Sequence, residues 1–141
     1  MTALFRTPLL LAAALLALPA GAADLKPFTT DGCSAFPDGT AEERELWLDC
    51  CIAHDLAYWK GGTYAERLAA DRELELCVAD QGKPELGRLM RAGVRVGGSP
   101  FLPTSFRWGY GWNYPRFYGP LSENERARVE ASLSADTTDA P

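Results

Sequence analysis

Four cysteines constrain this chain more than any other feature, and two of them are adjacent. Cys50 and Cys51 open the stretch CCIAHDLAY, residues 50–58, and Cys33 and Cys77 lie on either side of it. If all four thiols are oxidised, two covalent links leave from neighbouring positions and tie the segment between 33 and 77 into one frame. The chain's only histidine, His54, lies inside that frame beside the carboxylate of Asp55. Imidazole is the only side chain whose unperturbed pKa falls near physiological pH. An adjacent carboxylate can orient it or hold a metal. The stretch is therefore the place to look for chemistry.

The first residues bear on whether those thiols are oxidised. Arg6 precedes an apolar run of leucine and alanine that ends at Leu18, followed by Pro19-Ala20-Gly21-Ala22-Ala23. A basic start, a short apolar core and a small-residue site are the order of a secretory signal peptide. The run is shorter than the ~20 residues that span a bilayer. The expectation is a leader over residues 1–23, cleaved near Ala22 or Ala23, and a protein that is secreted or periplasmic. An even cysteine count in an exported chain makes disulfides the default.

Loss of the leader leaves 118 of the 141 residues, with 13 basic and 19 acidic side chains and a formal charge of −6. That is one small domain, which can fold alone and still gains from cross-links. The acidic balance argues against nucleic acid as a partner, which needs a basic face for phosphates. The charge is uneven, however. Between Lys83 and Arg116 there are six basic residues and one acid, Glu85.

Local signals predict a mainly α fold. Residues 24–40 are rich in glycine, proline and aspartate and read as a loop. Thr40-Ala41-Glu42-Glu43 has the pattern of a capping box and predicts a helix from there to about Lys60, stopped by Gly61-Gly62. Thr63-Tyr64-Ala65-Glu66 repeats the signal for a second helix ending near Gly82 and Pro84. The short connection predicts that these two are antiparallel neighbours. A third helix is expected over about 84–96 and a fourth from Ser122 to about Leu133. Residues 24–133 form the expected domain, and 134–141 read as a disordered tail.

Suppose that Cys50 bonds to Cys77. For antiparallel helices His54 then lies level with residue 73, about 3 Å along the axis from Asp71. An imidazole–carboxylate pair fixes the tautomer and leaves the second ring nitrogen free as a base. Taken alone, Asp71 reads as an ordinary solvated helix residue; the cysteine spacing argues for the pair. The other pairing, Cys33 with Cys51, would pin the loop DGCSAFPDG, residues 31–39, against the histidine helix. Loop carbonyls and the carboxylates of Asp38 and Asp55 would then converge, an oxygen set that suits calcium rather than zinc. Without a metal, the same loop is a disulfide-stapled acidic turn.

Phe106, Trp108, Tyr110, Trp112 and Tyr114 recur at every second residue. In an extended segment all five would face one side. One reading is an arm laid over the helices to complete the core. The other is an interfacial patch in which Trp108, Tyr110, Trp112 and Arg107 contact lipid, since aromatics with arginines suit a headgroup boundary. The expectation combines them, with one side packed and the rim near Arg107 touching lipid.

CCIAHDLAY resembles the active-site helix of secreted phospholipase A2, which has two adjacent cysteines, two residues, His-Asp, two residues and Tyr. The resemblance extends to Asp71, six residues before Cys77. The loop DGCSAFPDG is closest in style to that of the bacterial and fungal members. The resemblance covers about Asp31 to Val78. It implies a fold of two antiparallel, disulfide-linked helices with a calcium-binding loop, plus further short helices and the aromatic-rich C-terminal segment. It also implies that His54 is the base that activates water, with Asp71 orienting it and Tyr58 supporting Asp71. Asp55 would ligate calcium together with carbonyls among Gly32, Ser34, Phe36 and Gly39, with Asp38 as a side-chain ligand. The implied reaction is hydrolysis of the sn-2 ester of a glycerophospholipid by a monomer acting on a phospholipid or membrane surface. Of the three pairings open to four cysteines, the resemblance and the helix geometry favour Cys33–Cys51 with Cys50–Cys77. The alternative function is a non-catalytic binding or structural protein that keeps the same calcium- and disulfide-stabilised fold.

Overall fold

The computed structural model describes residues 24–138. The expected leader over 1–23 and the last three residues of the expected tail lie outside the described residues. Four helices make up the regular structure: α1 (Leu48–Lys60), α2 (Tyr64–Asp80), α3 (Pro84–Gly97) and α4 (Glu123–Thr138). An isolated bridge joins Leu25 to Trp112, and no strand is present among the described residues.

Three of the four starts follow their local signals. Thr63 caps α2 with a full capping box: its hydroxyl accepts from the Glu66 N–H at 3.2 Å, and the Glu66 carboxylate accepts from the Thr63 N–H at 2.6 Å. Ser122 and Glu125 make the same reciprocal pair ahead of α4, at 3.2 and 2.8 Å. Pro84 opens α3, where its missing N–H costs nothing.

The first helix differs from expectation. It begins at Leu48 rather than near Thr40. The Thr40 hydroxyl does accept from the Glu43 N–H at 2.9 Å, but the Thr40 N–H donates back to the Glu43 carbonyl at 2.8 Å and closes a turn. Trp47 then turns its donors to the preceding loop, with Nε1 to the Pro37 carbonyl at 2.7 Å and its N–H to the Asp38 carbonyl at 3.0 Å. Gly39 lies so close beneath this turn that a Cβ there would be 2.0 Å from the Glu43 carbonyl oxygen. These loop contacts divert the Trp47 N–H and occupy the Glu43 carbonyl, a donor–acceptor pair that helix propagation from Thr40 would have used. The other end of the chain also departs, because α4 continues through Thr138, beyond the expected stop at Leu133.

Packing centres on α2, which lies against both α1 and α3. Around the cysteines, Trp47, Leu74, Val78 and Met90 form one buried cluster. Tyr58, Ala70 and Trp108 form a second. Trp59, Trp112 and Val129 form a third, with Leu25, Phe28 and Leu133 packed against it.

The aromatic segment is not extended. It is a chain of turns folded over the C-terminal end of α1, where helical carbonyls lack intrahelical partners. Trp112 Nε1 donates to the Lys60 carbonyl at 2.7 Å and Trp108 Nε1 to the Gly62 carbonyl at 2.8 Å. The Gly109 N–H donates to the Tyr58 carbonyl and the Gly111 N–H to that of Trp59. Gly61 has φ 67° and would put a Cβ 2.8 Å from the Cα of Gly109, so the close approach requires glycine.

This corrects the lipid-facing assignment. Trp108 and Trp112 are each 1% exposed and Arg107 is 3% exposed. Arg107 donates to the carbonyls of Gly109 and Trp112, and burial draws its pKa below the ordinary value. Tyr110 is half-buried, its hydroxyl bonded to the Thr29 carbonyl at 2.6 Å. Trp108 and Trp112 thus belong to the core with their indole N–H groups consumed in closing the helix end, and Arg107 with its guanidinium consumed by carbonyls of the segment itself. The exposed aromatics of residues 97–119 are Phe101, Phe106, Tyr114 and Phe117.

Candidate active site

Disulfides join Cys33 to Cys51 and Cys50 to Cys77, and no cysteine among the described residues is free. The second bridge sets the register between α1 and α2. Moving along α1 from Cys50 to His54 to Tyr58, the partners on α2 step back from Cys77 to Asp71 to Arg67.

His54, on the buried side of α1, places Nε2 2.9 Å from Oδ1 of Asp71. Tyr58 lies one turn further along the helix, and its hydroxyl donates to the same Oδ1 at 2.7 Å. The two rings lie 4.2 Å apart between centroids. With Asp71 ionised, Nε2 carries the proton and Nδ1 is left as an acceptor. Asp71 is fully buried. Burial pushes its carboxyl up, but hydrogen bonds from His54, Arg95 and Tyr58 outweigh that and leave its pKa below the ordinary carboxylate value. Tyr58 is held well above the ordinary phenol value by burial and then by the Asp71 charge, so it remains a donor.

A lowered carboxyl pKa in the folded state has a definite pH sign. The stability contributed by Asp71 is present above its unfolded value of 3.8 and is lost as pH falls through the lower folded value. Acid unfolding followed by circular dichroism should therefore be less steep in pH for Asp71→Asn than for the wild type, although the variant is less stable at neutral pH. Equal slopes would refute this account of the carboxylate.

His54 and Asp55 open onto a cavity of about 410 Å³ bounded by the 31–36 loop, α1 and α3. Its walls are mostly apolar, with Phe36, Leu74, Met90, Val94 and Phe106. Gly93 and Gly97, one turn apart on α3, leave the space open. The size and the few convergent polar groups fit a small-molecule site.

Asp55 accepts from the Thr30 hydroxyl at 2.7 Å. Burial raises its pKa ahead of the lowering effect of that bond, and the nearby Asp31 raises it further. Asp31 in turn accepts from the Ser34 hydroxyl at 2.9 Å. Gly32 and Ser34 have φ of 71° and 54°, so the backbone turns sharply on either side of Cys33. Gly32, Ser34 and Phe36 line the cavity with Asp55.

Asp38 and Gly39 are not brought to it. The Asp38 carboxylate accepts from the Cys33 N–H at 2.9 Å and holds the loop closed, while Gly39 is packed beneath residues 43–46. Neither residue lines the cavity with Asp55. Among the described residues no group of three or more His, Cys, Asp or Glu is arranged to hold a metal. The groups at hand are the carboxylates of Asp55 and Asp31 and the carbonyls of the loop. All are oxygen donors, which is the chemistry a hard cation such as calcium prefers.

Several site residues were missed from the sequence. Arg67 lies four residues before Asp71 on α2, a spacing that places both on one face and was a usable signal. Its Nε donates to the Tyr58 hydroxyl at 2.9 Å and one terminal nitrogen bonds the Tyr118 hydroxyl. Asp31 was readable only as part of an acidic turn. Arg95 reaches Asp71 from α3 at 2.8 Å, a contact set by tertiary packing.

No protein-family model, no curated protein and no solved structure matches the chain. No helix among the described residues is long and apolar enough to cross a membrane.

Proposed function

We propose that this is an exported, calcium-dependent hydrolase of the phospholipase A2 type that cleaves the sn-2 ester of glycerophospholipids. The observation that carries this reading is His54, paired with the buried Asp71 behind it, in the wall of a largely apolar cavity beside Asp55. The resemblance of CCIAHDLAY to the phospholipase A2 helix supports the same chemistry, and so does the register of the antiparallel helix pair.

In this reading Asp71 and Tyr58 hold the imidazole while Nδ1 accepts a proton from water. The water oxygen adds to the ester carbonyl carbon. His54 then returns the proton to the departing alkoxide oxygen, giving a free fatty acid and a lysophospholipid. No covalent enzyme intermediate is needed. Calcium held by Asp55 with oxygens among Asp31, Gly32 and Ser34 would supply neutralisation of the negative charge that develops on the carbonyl oxygen. The apolar walls receive the acyl chain.

The test is fatty-acid release from phosphatidylcholine vesicles in millimolar calcium, with arrest by a chelator. Equal release in chelator would overturn the calcium dependence. No release in calcium would leave a non-catalytic protein with this fold.

Bulk on the α3 wall gives a further expectation. Gly93 and Phe36 both line the cavity, and a Cβ at Gly93 would meet the Phe36 ring at 3.6 Å, an ordinary contact, so a longer side chain there takes up cavity space. Gly93→Leu should raise KM severalfold for a long-chain phospholipid and leave a short-chain one nearly unchanged. Equal effects on both would show that this wall does not receive the chain.

A further inference from the structure

We propose that Arg95 is a positioning residue for His54, acting through the second oxygen of Asp71. This rests on the reading of His54 as the base. Oδ1 of Asp71 receives both His54 Nε2 and the Tyr58 hydroxyl. A carboxylate held at one oxygen alone can still turn about its last torsion, which has broad minima. Arg95 fixes the other end, with Nη1 2.8 Å from Oδ2. Its own aim is constrained in turn. Nη2 lies 3.3 Å from the Tyr64 hydroxyl, and the guanidinium sits over the Tyr64 ring at 5.4 Å.

Arg67 completes the device. One of its terminal nitrogens donates to the carbonyls of Val94 and Arg95, at 3.0 Å each, and so fixes the last turn of α3 from which Arg95 projects. Its Nε–H already donates to the Tyr58 oxygen, so the Tyr58 hydrogen is free to point to Asp71. Two arginines from different helices thus hold the carboxylate plane and the hydroxyl direction. The same helix α3 supplies Met90, Gly93, Val94 and Gly97 to the cavity. The wall that would receive the acyl chain and the Arg95 half of the clamp therefore project from one helix.

A single histidine makes the decisive readout unambiguous, because the protein has one imidazole ¹⁵N pair. At a fixed mildly alkaline pH the wild type should show the tautomer protonated at Nε2. Arg95→Met should give a mixture of tautomers and lower kcat by about tenfold to a hundredfold, the usual loss on removing a supporting partner, with KM within about twofold. Arg95→Lys keeps the charge but not the forked geometry and should recover only part of the loss. A single unshifted tautomer with unchanged kcat in Arg95→Met would overturn the proposal. Should Arg95→Met fail to fold, Arg95→Lys and Arg95→Gln carry the same readouts, and wild-type behaviour in both would overturn it equally. If the wild type releases no fatty acid, the hydrolase reading fails, while the tautomer measurement still decides whether Arg95 positions His54.

Discussion

On the proposed hydrolase reading, His54→Ala should lower calcium-dependent fatty-acid release by about 10²–10⁴-fold, the range a positioned general base contributes, and should leave the melting curve close to that of the wild type. The two halves of this expectation come from the same contacts. His54 supplies Nδ1, and no neighbouring side chain offers a replacement of similar basicity, because it is the only histidine in the chain. Its removal nevertheless leaves Asp71 well partnered. Oδ1 keeps the Tyr58 hydroxyl at 2.7 Å and Oδ2 keeps Arg95 at 2.8 Å, so no buried charge is orphaned. Asp71→Ala has the opposite profile, since it removes at once the fully buried acceptor shared by His54, Tyr58 and Arg95, and should destabilise the site as well as silence it. Asp55→Asn should silence turnover with little change in stability, because Asp55 is only partly buried. Undiminished release in His54→Ala would sink the mechanism.

The site was legible in the sequence to the extent that it is written along helices. Cys50, His54 and Tyr58 recur every four residues, and one bridge to Cys77 is enough to bring Asp71 beside His54. The capping pair Thr63 and Glu66 likewise made the start of α2 readable, because the motif satisfies its own donors locally. Local signals failed where a tertiary contact competed with them. Thr40 and Glu43 make their capping bond, yet Trp47 gives its donors to Pro37 and Asp38, and the helix waits until Leu48. Arg95 lies 24 residues from Asp71 in the chain, and no local spacing announces that contact. The aromatic segment misled for a related reason. Its period of two is also compatible with successive tight turns at Gly109 and Gly111, which bury Trp108 and Trp112 and leave Phe106 and Tyr114 outside.

Trp108→Ala and Trp112→Ala should each lower stability by about 3–5 kcal/mol, the usual cost of an aromatic-to-alanine change in a core. Both indoles also donate to carbonyls at or just past the end of α1, so truncation removes a bond to the Lys60 oxygen or one of the two bonds to the Gly62 oxygen, which keeps the Gly119 N–H at 3.1 Å. Native domains are stable by only about 5–15 kcal/mol, so the double variant should be largely unfolded at 25 °C in urea titrations where the wild type is folded. Trp108→Phe and Trp112→Phe keep most of the apolar area without the N–H and should fall between. The two sites differ in what else they cost. Trp108 packs edge-on against the Tyr58 ring at 5.1 Å, and Tyr58 holds Asp71, so Trp108→Ala should lower kcat in whatever fraction remains folded. Trp112 packs with Trp59 and Val129, away from that network, and its loss should leave kcat per folded molecule near the wild type. All four tryptophans are 4% exposed or less, so their emission should lie to the blue in the folded protein and stay there when phosphatidylcholine vesicles are added. A blue shift on vesicles, or a double variant that stays folded while losing vesicle affinity, would return these residues to the lipid surface.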